Sequence, residues 1–356
     1  MSESRDYSLT GIDGQRAKEA GLAGAQWYAC PIPRKRMKEL MKRSDQPAIR
    51  DTAIWLGAMA LLGGLGVWFW GSWLAVPFFL CYGVLYGSAS DSRWHEAGHG
   101  TAFKTRWMND VVYHMASFMI MREPTVWRWS HTRHHTDTLI VGRDPEIVAM
   151  RPPRLAKVIA NFFGLVDVPV ALYHMSLHAA GRLTEDEKTF IPAMEQPKVF
   201  RIARIWLAIY AATAAACIAV GSILPAMVIG LPRLYGAWHH LLCGLTQHAG
   251  LAEDTLDHRL NSRTVYMNPV SRFVYWNMNY HVEHHMFPMV PYHALPELHK
   301  EMKGDCPPPY AGFWHAYREI VPTLLRQLKD PTHFVRRHLP SGSKPLQPGV
   351  ADAKAA

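Results

Sequence analysis

Residues 53–99 read AIWLGAMALLGGLGVWFWGSWLAVPFFLCYGVLYGSASDSRWHEAGH, and this stretch decides the fold. From Ala53 to Tyr86 it carries no charged side chain. A helix that crosses a bilayer takes about 20 apolar residues, so the run is long enough for two helices turning near Gly71-Ser72. The returning helix then runs straight toward His95 and can lift it clear of the lipid.

Ile205 to Ile229 is a second uncharged, apolar run and is expected to form a second hairpin, turning near Gly221-Ser222. The competing assignment, core helices of a soluble protein, sits poorly with uncharged runs this long. Lys and Arg crowd the segment before the first run, from Arg34 to Arg50, and the connection between the hairpins, whereas the hairpin turns carry neither. By the positive-inside rule both termini and all the His-rich segments face the cytosol. The formal net charge of +9 is thus explained by membrane orientation. No zinc-finger, RNA-recognition or basic-zipper pattern points to nucleic acid.

Five scattered cysteines, none in a C-x-x-C pair, imply a reducing compartment and no disulfide framework. The first residues are polar through Gln26, so no cleavable signal peptide is expected. Residues 340–356, rich in Pro, Gly, Ser and Ala, are expected to be disordered. The organisation expected is an N-terminal cytosolic segment (1–50), a membrane domain (51–300), a C-terminal cytosolic helical segment (301–339) and that tail.

Histidine makes up 20 of the 356 residues and is concentrated in three clusters: His95-Glu-Ala-Gly-His99, His131-Thr-Arg-His134-His135 and His281-Val-Glu-His284-His285. On a helix, residues i, i+3 and i+4 share a face, so the imidazoles of each cluster converge. Pro124 suits the first turn of a helix carrying the second cluster, and Pro288 suits a stop after the third. The outgoing arm of the second hairpin, despite Pro225 and Pro232, leads to a ninth candidate, His248.

Polar groups held near lipid are costly, and a metal gives them a reason to be there. Eight or nine imidazoles exceed one tetrahedral zinc site and suit two ions of four to five ligands each. A sulfur-free, imidazole-rich, partly open site fits iron, although zinc or copper would also bind such ligands. Paired irons with O2 can attack an unactivated C–H bond. Two other classes compete. His95-Glu96-Ala-Gly-His99 matches the H-E-x-x-H motif of zinc peptidases, with Glu96 as general base, but leaves the other clusters unexplained. A metal transporter would want ionisable groups in its spans, and the first hairpin has none.

The residues resemble the membrane fatty-acid desaturase superfamily over about 50–300. Asn279-Tyr280-His281-Val282-Glu283-His284-His285-Met-Phe287-Pro288 is similar to the family's third His box. Trp129-Ser-His131-Thr-Arg-His134-His135 with Asp144-Pro145-Glu146 resembles the second box and the acidic motif after it, and His95 with His99 matches a short first box. His248 lies where the family places an extra ligand. The resemblance implies iron ligands at His95, His99, His131, His134, His135, His248, His281, His284 and His285. It also implies a mushroom-like helical fold with the iron site at the cytosolic mouth of a substrate channel. Thr125 to His131 and Gly142 to Glu146 also resemble bacterial branches linked to rhizopine catabolism and dihydrorhizobitoxine desaturation.

Glu96, Asp144 and Glu283 are candidates to hold the second nitrogen of a ligand imidazole. His239-His240 and the His174/His178 pair could each supply a ligand, but structural or channel-lining roles are favoured because the nine histidines already suffice. Trp68, Trp70 and Trp73 read as an interfacial belt, Trp127 and Trp129 as packing, and Arg233 as a snorkelling cation or a partner for an anionic substrate group.

The expectation is an all-α integral membrane protein of four transmembrane helices in two hairpins, placed in a bacterial inner membrane, with a helical cytosolic cap around two iron ions. It would use O2 and two external electrons to desaturate or hydroxylate an aliphatic carbon, most readily of a fatty-acyl lipid. The alternative substrate is a small polar metabolite, oxidised by O-demethylation or amino-acid desaturation. No flavin, haem or Rieske motif occurs, so a separate ferredoxin or cytochrome with its reductase is the expected donor.

Overall fold

The computed structural model describes residues 5–343 and is all-helical there, with two isolated β-bridges, Thr264 with Tyr280 and Val265 with Tyr310, in place of any sheet. The expected tail lies, from residue 344 onward, outside the described residues.

Asp45–Trp68 forms a continuous helix, and a left-handed Gly71 lets the chain reverse where the hairpin turn was expected. The returning arm runs from Ala75 through Gly98 without a break, but five residues, Leu85–Ala89, are wound as a π-helix. Such a segment leaves backbone carbonyls free for other donors. Trp55 Nε1 donates to Leu85 O at 2.8 Å, and Arg233 donates to Gly87 O at 2.7 Å. The two arms pack through small residues: a Cβ on Gly63 or Gly66 would stand 3.0 Å from the Tyr82 or Phe79 ring. Small residues let helices approach closely where lipid offers no hydrophobic drive.

The second hairpin departs from expectation. Its outgoing arm, Gln196–Val220, is a single helix ending at left-handed Gly221. Its return is broken into Leu224–Val228, Pro232–Gly236 and Trp238–His248. Gly230 has φ +93°, and Pro232 lacks the N–H that would continue the helix through it. Among the described residues, two helices, ending at Trp68 and Val220, are long and apolar enough to cross a membrane. Their apolar windows are only 22% and 11% buried, which a soluble core helix would not be. Ile218 (83%) and Trp73 (90%) project outward.

The two returning arms touch where the π segment begins. A Cβ on Gly236 would lie 1.8 Å from Gly83 O. Arg233 neither snorkels nor stands free: it is buried, bonded to Gly87 and 3.6 Å from Asp167. Arg93, fully buried beneath the His-rich cap, donates to the carbonyls of Ala89, Val274 and Phe273 and lies about 5 Å from the Trp55, Phe273 and Trp276 rings. It ties the first His helix to the segment that precedes the third.

Candidate metal centre

The first cluster closes the helix Ser90–Gly98, with His99 as its C-cap. The second lies on Pro124–Asp137, which starts at Pro124 with Glu123 capping Val126 N. The third forms the short helix His281–Met286, ended at Phe287 before Pro288. His248 is the last residue of Trp238–His248.

These four elements bring their imidazoles together in two groups. In one, the ligand atoms of His95, His99, His131, His135 and His284 all lie within 4.8 Å of one another. Nε2 of His131 stands 3.0 Å from that of His95, 3.1 Å from that of His99 and 3.1 Å from that of His135. Nε2 of His95 is 2.8 Å from that of His284. In the other group His134, His248 and His285 are equally close. His281 joins them through Nε2 contacts of 2.9 Å to His248 and 3.0 Å to His285.

For four of the rings the opposite nitrogen explains why Nε2 points inward. His131 Nδ1 donates to Glu146 at 2.8 Å, and Ser130 Oγ bonds the same carboxylate. His134 Nδ1 lies 2.9 and 3.0 Å from the two Asp144 oxygens. His248 Nδ1 donates to Asn261 O at 2.8 Å, and His285 Nδ1 to Thr138 Oγ1 at 3.2 Å. A neutral imidazole whose proton is spent at Nδ1 offers only a lone pair at Nε2. Lone pairs held about 3 Å apart repel unless a cation lies among them. The donor set thus fits metal, by its own chemistry.

Electrostatics agree. Burial, then repulsion from neighbouring imidazoles, holds His95, His131, His135, His281, His284 and His285 well below the usual histidine range. Burial lowers His99 to about 4 and His248 to about 3. His134 is the exception: burial pulls it down, but Asp144 outweighs that and raises it. Neutral imidazole is the form that ligates metal.

Of the three acidic candidates, only Asp144 reaches one of the nine imidazoles. Glu96 instead bonds Thr101 Oγ1 at 2.8 Å and Tyr292 N at 2.9 Å, and Glu283 bonds Thr264 and His299. Both pin the cap together. Sequence reasoning passed over Glu146, although it stands two residues beyond Asp144 in the same quoted motif. Trp127, read as packing, stacks on His131 with centroids 4.1 Å apart. His239 faces Cys243, and His240 lies 3.1 Å from Asp91, so neither joins the nine.

A cavity of about 360 Å³ opens against the imidazoles of His95, His131, His134, His248 and His281, with Leu139, Leu241 and Leu245 on its apolar side and Arg122 and Arg151 among its polar groups. It is large enough for part of a chain-like molecule to lie beside the cluster.

Known proteins are similar to this chain in sequence. The family model "Fatty acid desaturase" matches residues 70–317, which takes in all nine histidines. A probable fatty acid desaturase, DES1, of Sorghum bicolor is 26% identical over 273 residues, 68% of each chain. A ferredoxin-type chloroplastic sn-2 acyl-lipid omega-3 desaturase of Helianthus annuus is 25% identical over 316 residues, 80% of this chain and 68% of that one. An sn-1 oleoyl-lipid 12-desaturase of Anabaena variabilis is 28% identical over 129 residues, 34% of this chain and 36% of its own. Membership in an oxidoreductase family removes the peptidase reading of His95-Glu-Ala-Gly-His99, in accord with a Glu96 committed to Thr101 and Tyr292. With its helical frame, its paired imidazole groups and a family match over most of its length, this chain belongs to the fatty acid desaturase family, oxidoreductases of lipid metabolism.

Proposed function

We propose that the chain is an O2-dependent acyl-lipid desaturase whose nine imidazoles hold two iron ions. His95, His99, His131, His135 and His284 hold one, and His134, His248, His281 and His285 the other. The observation that carries this reading is the division of the Nε2 atoms into a group of five and a group of four, each of a size one ion can take. Nitrogen donors without sulfur, in a site that keeps room for a further ligand, favour iron.

When bound, the metal pair supplies activation of O2 for C–H cleavage. The chain's residues do the rest. Glu146, Asp144, Asn261 and Thr138 fix the tautomer and tilt of four imidazoles. Trp94 and Trp127 wall the first group, and the adjacent cavity receives the substrate carbon, with Leu139, Leu241 and Leu245 on its apolar side. Desaturation removes two hydrogen atoms from the substrate, and these, with two external electrons and two protons, reduce O2 to two waters. A ferredoxin, as the name of the Helianthus annuus relative states for that enzyme, or a cytochrome with its reductase, is the donor.

The broken fourth arm still has the length to return to the first side. We therefore place two hairpins in the bacterial inner membrane, with the His cap cytosolic, following the Lys/Arg distribution. The test is iron analysis of the purified protein together with mass spectrometry of total fatty acids. The host would co-express a ferredoxin and reductase and carry either wild type or His284→Ala. A new double bond confined to wild type, with two irons per chain, supports the reading. A new hydroxyl would make the enzyme a hydroxylase. Two irons with an unchanged lipid profile would transfer the reading to a small polar metabolite, and zinc without iron would end the di-iron assignment.

A further inference from the structure

A third group of ligand atoms lies outside the nine histidines. His174 and His178 stand one turn apart on the helix Asp167–Ala179, and Glu187 comes from the short helix Glu185–Lys188. Their ligand atoms all lie within 4.8 Å of one another. His174 Nδ1 and His178 Nε2 are each 3.0 Å from Glu187 Oε1, and His178 Nε2 is 3.1 Å from Oε2. The sequence favours a structural or channel-lining role for the histidine pair over a ligand role, and Glu187, nine residues beyond His178, is not part of that reading.

We propose that His174, His178 and Glu187 form a separate mononuclear site for a divalent transition ion such as zinc. Ligands bonded at about 2.0–2.2 Å stand roughly 3 Å or slightly more from one another, and this is the spacing found here. Two imidazoles and one carboxylate are a set that zinc uses where it keeps coordination positions open. Magnesium and calcium prefer all-oxygen sites, so the donor set selects against them.

The carboxylate is pre-positioned. Glu187 Oε2 accepts from Thr184 N at 2.8 Å, and Thr184 Oγ1 accepts from Glu187 N at 3.2 Å, a closed capping box. Glu187 and His178 are buried, while the His174 side chain is 35% exposed and gives an ion its way in. The three residues line a cavity of about 260 Å³. Trp127 and Ser130, which touch His131 and Glu146 of the main centre, line the same cavity. The open positions of the ion would therefore face a space shared with that centre's flank.

The experiment uses full-length, iron-loaded protein dialysed against Zn2+ and then freed of excess metal. Wild type is expected to retain one more equivalent of zinc per chain than His174→Gln/His178→Gln, with equal iron in both. His284→Ala is expected to lose iron yet keep that zinc, so this site and the di-iron reading fail separately. Should the double variant not fold, melting curves of wild type and Glu187→Gln decide. Wild type is expected to gain several degrees on adding Zn2+, reversed by EDTA, and Glu187→Gln to gain none. Equal zinc in wild type and double variant, or no zinc-dependent shift in wild type, would overturn the proposal.

Discussion

His131 Nδ1 lies 2.8 Å from Glu146, and that single bond aims Nε2 of the same ring at His95, His99 and His135. Ser130, the residue before His131, bonds the other oxygen of the carboxylate at 2.7 Å. One acidic side chain thus sets the tautomer of the imidazole at the middle of the five-membered group.

Replacing Glu146 by Gln keeps the shape and one oxygen acceptor but removes the negative charge that strengthens the bond from His131 Nδ1–H. Partners of this kind are worth about 10–100-fold in metal affinity or activity. Glu146→Gln is expected to retain iron at high concentration and to lose it on dilution against a chelator well before wild type does. Asp144→Asn should behave alike for the group of four. Its Oδ2 also accepts from Leu139 N, so a stability loss of about 1 kcal/mol is expected as well. Chelator titration with a melting curve checks both.

His134→Ala and His284→Ala remove one imidazole from different groups. Each is expected to lower bound iron and abolish product, but His284→Ala should empty the group of five first and His134→Ala the group of four. Spectroscopy of the remaining iron distinguishes them. Full activity in either variant would refute the ligand assignment.

Gly236→Ala tests the contact between the hairpins. The added methyl would meet Gly83 O and Cα, backbone atoms that no rotamer change can move. Overpacking costs about 1–3 kcal/mol, so a melting temperature several degrees lower is expected. Gly57→Ala, with open space around it, should be neutral in the same assay.

Arg93→Lys keeps the charge and loses the fork that reaches three carbonyls on two segments. Leaving such acceptors unmet costs about 1–3 kcal/mol. A lower melting temperature and weaker iron retention are expected together, since the same bonds seat the first His helix. An unchanged melting curve would show that Arg93 is not a strut.

Purified protein is expected to turn over only when a reduced ferredoxin or cytochrome is supplied. Product formed with O2 alone, at a rate equal to the complete mixture, would show that the electron path has been misplaced.

Much of this protein is legible without coordinates because it rests on local periodicity. Charge-free runs mark apolar helices, and the i, i+3, i+4 spacing puts each cluster's imidazoles on one face. Pro124 and Pro288 bound two of the His helices. What one dimension leaves open is which neighbour a side chain meets. His131 and His134 belong to one motif, yet they turn to different groups; so do His284 and its neighbours His281 and His285. Side chains on one helical face still diverge in angle, and only the packing of four elements decides which ring is nearest. The same holds for Glu96 and Glu283, adjacent to ligands in sequence but turned to Thr101, Tyr292, Thr264 and His299. It holds for Glu187, whose meeting with His174 and His178 depends on a chain reversal between two helices. Sequence alone thus determined the helical frame and the imidazole chemistry, because both follow from composition and spacing along a single helix. Tertiary structure alone decided the split into five and four, the choice of Glu146 and Asp144 as orienting groups, and the break at Gly230-Leu231-Pro232. Each of those depends on contacts between segments distant in the chain or on a backbone turn that propensity does not compel.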